Sequence, residues 1–270
     1  MRGSLGVVKK ALFIAPILAL EACAGGMVPA PSIAPAGTFV AAPACLTAEA
    51  RVSFDFEGAS PARCVVGGPR NFTLLISPEH APPINPSAWY AFRYEAAEGS
   101  PLTLTLEYLE GRHRYAPKLT NEAGITEIAA KVGPEGENAV LSLRPGEGIV
   151  SGQPILGPAY YEDLLTRLAA DFSARRVLLG RTLDGRAIDG VRMGSPDAPH
   201  LLILLGRQHP PEVTGHYAME PFLEQVGRRL SEDAALAARY QVLAIPLLNP
   251  DGVVHGNWRA NRGGVDLNRD

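Results

Sequence analysis

An imidazole and a carboxylate stand three residues apart in His209-Pro210-Pro211-Glu212, and Arg259, Asn268 and Arg269 follow further along the chain. Imidazole nitrogen and carboxylate oxygen both suit zinc, at about 2.0–2.2 Å, and a catalytic zinc takes three protein ligands and a water. A guanidinium presents a planar fork of donors that matches a carboxylate. An asparagine beside it makes a compact receptor for a terminal carboxylate, and a separate arginine can stabilise an oxyanion. Taken one at a time, these residues have plainer readings. The chain has six histidines, so one accidental His-x-x-Glu is no surprise, and spacing alone favours a loop histidine and a capping glutamate. An exposed arginine forms an ion pair of little worth.

The elements around these residues decide where they can meet. Residues 201–205 are a continuous apolar run, which predicts a strand covered on both faces. His209 leaves that strand, Pro210 and Pro211 stiffen the turn, and helical periodicity runs from Glu212 to about residue 230. Ligands collect beyond the carboxyl ends of strands in open α/β sheets, so both side chains can converge on one ion. Residues 242–248 predict a second buried strand, followed by the turn sequence Asn249-Pro250-Asp251-Gly252. Residues 159–172 and 231–238 have helical spacing, and Asp184-Gly185 signals a hairpin between strands near 176–179 and 187–193. Alternating strand and helix predicts an α/β domain with a partly parallel sheet over residues 149–270.

Upstream, short runs at 51–56, 71–76, 89–94, 102–108 and 139–143 alternate apolar and polar residues between Pro, Gly, Asn and Ser. They predict an antiparallel β-sandwich over residues 46–148, with a turn-rich boundary at 144–158. Residues 1–22 have a basic start and a short apolar stretch, the pattern of a signal peptide. Leu20-Glu21-Ala22-Cys23 is similar to a bacterial lipobox, which makes Cys23 the lipidation site and predicts an exported protein, periplasmic or anchored in the outer membrane of a bacterium. Residues 23–45, rich in Ala, Pro and Gly, predict a linker. In an oxidising compartment Cys45 and Cys64 can form a disulfide. A net charge of −3 without a basic face argues against a nucleic-acid partner.

The stretches Arg207-Gln-His-Pro-Pro-Glu-Val-Thr-Gly215, Asn249-Pro-Asp-Gly-Val-Val-His-Gly-Asn-Trp-Arg259 and Gly264-Val-Asp-Leu-Asn-Arg269, in this order, resemble the zinc carboxypeptidases, peptidase family M14. The likeness is strongest to the cytosolic-carboxypeptidase-like branch, which carries an N-terminal β-sandwich. Asn85-Pro-Ser-Ala-Trp-Tyr-Ala-Phe-Arg93 resembles its signature strand. The resemblance implies that His209 and Glu212 bind one zinc ion and that Asp266 orients His209. It implies that Arg259 polarises the scissile carbonyl, and that Asn268 and Arg269 hold the free carboxylate of a peptide substrate. The family's third zinc ligand, general-base glutamate and capping tyrosine lie later in its pattern and are expected beyond residue 270, His216 and His255 being the alternatives within the chain. The chain as it stands is therefore expected to be an inactive, C-terminally truncated metallocarboxypeptidase. A murein-peptide amidase or carboxypeptidase, and a non-catalytic protein that binds peptides or wall fragments, are the competing expectations.

Overall fold

The computed structural model describes residues 45–80 and 86–269. The signal pattern, Cys23, residues 24–44 of the linker and Asn85 lie outside the described residues.

Eleven strands come first: β1 (Cys45–Leu46), β2 (Ala50–Ser53), β3 (Arg63–Gly68), β4 (Asn71–Ile76), β5 (Ala91–Ala96), β6 (Leu102–Tyr108), β7 (Lys118–Asn121), β8 (Gly124–Glu127), β9 (Ala130–Val132), β10 (Asn138–Leu143) and β11 (Gly146–Ser151). They form two sheets, ordered β1-β2-β5-β11-β7-β8 and β3-β4-β6-β10-β9. Alternation sets the inward faces. Phe72, Leu74 and Ile76 of β4 and Leu102, Leu104 and Leu106 of β6 are buried, and they share one core with Val52, Phe92, Leu141 and Val150. Cys45 of the first sheet and Cys64 of the second are joined in a disulfide, with Cα atoms 5.7 Å apart.

Two expectations need correction here. The sandwich is not wholly antiparallel, because β4 runs parallel to β6. Residues 146–151, read as part of a turn-rich boundary, instead form β11, hydrogen-bonded on both sides to β5 and β7. Its glycines hid it. The backbone of Gly148 lies so close to Leu119 and Thr120 of β7 that a Cβ there would sit 2.6 Å from Leu119 Cδ1 and 3.0 Å from the Thr120 carbonyl oxygen.

The remaining elements are α1 (Pro158–Asp171), β12 (Arg175–Arg181), β13 (Ala187–Gly194), β14 (His200–Leu205), α2 (Val213–Glu232), α3 (Ala234–Arg239), β15 (Tyr240–Ile245) and α4 (Pro250–Val254). The third sheet has the order β12-β13-β15-β14, with β14 and β15 parallel and the other pairs antiparallel. The molecule is thus a mixed α/β fold. Tyr161, Leu164 and Leu168 of α1, Leu223 and Leu230 of α2, and Val191, Val242 and Ala244 of the sheet make its core. Pro158 opens α1 at a position that needs no N–H donor.

The run 201–205 departs from expectation. It is a strand, but it is not covered on both faces: Leu201, Leu202, Ile203 and Leu205 are 43–55% exposed. β14 ends the four-stranded order, and only Leu204 of these residues packs against the core. Apolar continuity reports a strand that tolerates burial; which neighbours cover it is a matter of topology. No helix among the described residues is long and apolar enough to cross a membrane.

Candidate metal and carboxylate site

The site lies where β14 and β15 end together. Their pairing runs on past the strands, from Gly206 N–H to the Ile245 carbonyl (2.9 Å) and from Leu248 N–H to the Gly206 carbonyl (3.0 Å). Asn249 N–H then donates to the Arg207 carbonyl at 3.2 Å, so the two loops leave the sheet side by side. Arg207 has φ +45°, a conformation that costs a non-glycine residue about 1–2 kcal/mol. Its guanidinium turns inward, donating to Tyr161 Oη at 2.6 Å and to the Pro210 carbonyl. Burial pushes its pKa down from the ordinary arginine value; the two acceptors serve its Nη atoms, while its Nε is buried with no hydrogen-bond partner. The loop that presents His209 is thereby held from behind.

His209 is buried, with 4% of its surface exposed. Its Nε2 lies 2.9 Å from Asp266 Oδ1. Asp266 is also buried and receives Arg259 Nε at 2.7 Å on Oδ2 and the Asn268 N–H at 3.1 Å on Oδ1. Burial works to raise the Asp266 pKa, but the hydrogen bonds from Arg259, His209 and Asn268 together outweigh it and hold the value down, to about 2. An anion can only accept, so we assign the His209 proton to Nε2. The Arg259 Nη2 atom, 2.9 Å from the same nitrogen, then makes a contact and not a second hydrogen bond.

That tautomer leaves a lone pair on Nδ1. Nδ1 is buried, lies 3.0 Å from Glu212 Oε2, and has no partner in hydrogen-bonding geometry. Glu212 precedes the first residue of α2 and its side chain is 53% exposed. Its other oxygen is 3.6 Å from Arg259 Nη1. A basic ring nitrogen and a carboxylate oxygen thus face one point, with no hydrogen bond consuming the nitrogen. This donor pair fits a zinc ion. Among the described residues no group of three or more His, Cys, Asp or Glu side chains forms a metal-binding cluster, so the described residues offer two donors and not a complete set.

The structure brings His209, Glu212, Arg259 and Asp266 together. Asn268 and Arg269 stand two and three residues after Asp266 and are exposed. His216 and His255 do not join the group. The His216 ring is buried against Tyr160 and Tyr161, and its Nε2 is 3.3 Å from Glu220. His255 Nε2 is 2.5 Å from Asp184. A cleft of about 470 Å³ opens beside Glu212, lined also by Arg207, His216, Met219 and, from the sandwich, Arg114 and Tyr115.

Two residues gain roles that the sequence reading passed over. Asn249 caps α4 by accepting the Gly252 N–H at 2.9 Å, while its amide donates to the Ala260 carbonyl at 3.1 Å. Gly252 is required there, since a Cβ would meet the Asn249 side chain at 2.5 Å and the Ala260 oxygen at 2.7 Å. Asp251, 1% exposed, accepts from Thr182 Oγ1 (2.8 Å), Asp184 N–H (3.1 Å) and Arg186 Nη1 (2.7 Å). The Asn-Pro-Asp-Gly segment is therefore a junction between the β12–β13 turn and the Arg259 segment. Its only sequence signal is that its turn residues fall directly after a buried strand.

Residues 161–270 match the peptidase M14 family model, described as zinc carboxypeptidase. An uncharacterised protein of Zymomonas mobilis is 34% identical over 113 residues, which are 41% of this chain and 29% of that protein. Cytosolic carboxypeptidase 2 of Danio rerio is 35% identical over 100 residues, 34% of this chain and 14% of that protein. The chain thus spans less than a third of the length of these curated relatives. Among solved structures, a metallo-carboxypeptidase from Burkholderia cenocepacia superposes with a TM-score of 0.67 at 21% identity, over 82% of this chain and 62% of that one. One from Pseudomonas aeruginosa, solved with (2-guanidinoethylmercapto)succinic acid, gives 0.64 at 20%, over 81% of this chain and 60% of that one. These likenesses show the fold, and they extend well beyond residues 161–270. The resemblance read from the motifs is shown: over residues 161–270 the chain matches the zinc carboxypeptidase family.

Proposed function

We propose that the protein is a zinc-dependent metallocarboxypeptidase that hydrolyses the C-terminal peptide bond of peptides with a free terminal carboxylate. The observation that carries this reading is the convergence of His209 Nδ1 and Glu212 Oε2 at 3.0 Å with the His209 proton committed to Asp266. His209 and Glu212 would hold the ion, which would supply an electrophile that acidifies a water. Asp266 fixes the imidazole so that the nitrogen facing Glu212 keeps its lone pair. Arg259, whose Nη1 is 3.6 Å from Glu212, would donate to the carbonyl oxygen as it gains negative charge. Asn268 and Arg269, both exposed and joined through their backbone N–H groups to Asp266, would receive the substrate's terminal carboxylate, which would select chain ends over internal bonds. The similarity to cytosolic carboxypeptidase 2 supports the hydrolase reading.

We further propose, on the signal and lipobox patterns of residues 1–23, that the protein is exported and lipid-anchored at Cys23, with a peptide or a murein peptide as substrate. The test uses the full-length protein. Glu212→Ala is expected to abolish stoichiometric zinc by metal analysis and, with it, release of C-terminal residues. Parallel assays on ordinary peptides and murein peptides separate the two substrate classes. Retention of both zinc and hydrolysis in the variant rejects the site; zinc binding in the wild type with no hydrolysis of either substrate points to a binding protein.

A further inference from the structure

The backbone that carries Arg259 is held by the sandwich. Glu79 lies just past β4, and its side chain is 17% exposed. Its Oε2 accepts the N–H groups of Arg259 at 2.7 Å and Ala260 at 3.0 Å, and its Oε1 accepts that of Trp258 at 3.2 Å. Three successive amides thus converge on one carboxylate, the arrangement by which a backbone concavity binds an anion, here supplied by the protein itself. Charge-assisted hydrogen bonds of this kind are shorter and stronger than neutral ones.

Other contacts reinforce the seat. The Trp258 indole is buried with Ala88, Trp89 and Ala91 of the sandwich. The segment passes so close to the sandwich that a Cβ on Gly256 would collide with the Ala59 carbonyl, and Gly58 N–H donates to the Val254 carbonyl at 2.9 Å. From the opposite side the Ala260 carbonyl accepts from Asn249 and Asn257, at 3.1 and 3.0 Å. The peptide groups flanking Arg259 are therefore pinned at both ends.

We infer that Glu79 is a positioning residue for Arg259, and that the sandwich takes part in the site by setting where this guanidinium stands. This rests on the role given to Arg259 above. Misplacing a catalytic group by about 1 Å can slow a reaction on the order of 100-fold, so a clamp on its backbone has leverage that an ordinary surface contact lacks.

Hydrogen exchange and kinetics on the full-length protein test it together. Glu79→Gln puts an NH2 group where an acceptor stood. It is expected to speed exchange of the 258–260 amides by about tenfold or more, with zinc content and exchange in β4 and β6 unchanged. In the same variant kcat falls about ten- to a hundredfold with little change in KM, and the substitution adds no further loss in an Arg259→Ala background. Glu79→Ala, which removes every acceptor, gives a larger effect of the same kind; should it not fold, the Gln variant alone decides. Unchanged exchange at 258–260 overturns the proposal. An equal loss of kcat with and without Arg259 also overturns it, since that marks a general structural effect. If Arg259→Ala leaves hydrolysis intact, the function assigned to Arg259 fails instead, and the exchange rates still report whether Glu79 clamps the segment.

Discussion

At the scale of single residues, the site is a chain of dependence. Arg207 holds the Pro210 carbonyl, which sets the loop that carries His209; Asp266 accepts the hydrogen bond of the His209 Nε2–H; the unprotonated Nδ1 faces Glu212. Removing an outer partner of a metal-binding histidine lowers metal affinity by about 10–100-fold. Asp266→Asn is accordingly expected to weaken zinc binding by that factor in a chelator competition titration, while the circular dichroism spectrum stays unchanged. An affinity equal to the wild type's would remove the orienting role. The residue types at 209, 212 and 266 were legible from sequence because their motifs are local. The Arg207 acceptors were not, because Tyr161 lies on α1, whose distance along the chain says nothing about contact.

At the scale of elements, the β12–β13 turn and α4 form one charged joint. Asp184 receives His255 Nε2 at 2.5 Å and Arg186 Nη1 at 2.8 Å, while Arg186 also reaches Asp251. The hydrogen bond from His255 is the largest influence on Asp184; with the Arg186 hydrogen bond it outweighs burial and holds the carboxyl below its ordinary value of 3.8. A depressed folded-state pKa contributes stability that is complete above the unfolded value and fades as pH falls through the folded one. Asp184→Asn should therefore destabilise by roughly 1 kcal/mol at neutral pH. The difference between variant and wild type should shrink in melts run well below pH 3.8. An equal deficit at both pH values would assign the effect to shape and not to charge. The hairpin itself was readable from Asp184-Gly185. Its attachment to the Asn-Pro-Asp-Gly segment was not, since each reads alone as an ordinary turn.

At the scale of the whole described fold, the sandwich is tied across its two sheets by Cys45–Cys64, separated by 19 residues. Closing a loop of that length contributes roughly 3 kcal/mol on a chain-entropy basis. The double variant Cys45→Ser/Cys64→Ser is expected to lose about that much in urea unfolding. The oxidised wild type should fall to the variant's midpoint when reductant is added, and insensitivity of the wild type to reductant would speak against the bridge. The apolar strand β14 belongs to this scale as well: its sequence reads as interior, and among the described residues it pairs on one side only, with β15.

Periodicity, turn residues and short motifs are local properties. They sufficed for the α/β character of residues 149–270, for five of the eleven strands of the sandwich (β2, β4, β5, β6 and β10), and for singling out His209, Glu212, Arg259 and Asp266, which the fold brings together. Contacts between distant segments carry no local mark. The parallel pairing of β4 with β6, the strand made from the glycine-bearing residues 146–151, and the reach of Glu79 to the amides of residues 258–260 arise only when the chain closes on itself. Hydrogen bonds and packing act through space, and in a fold of this size hydrogen-bonded partners can stand more than a hundred residues apart along the chain.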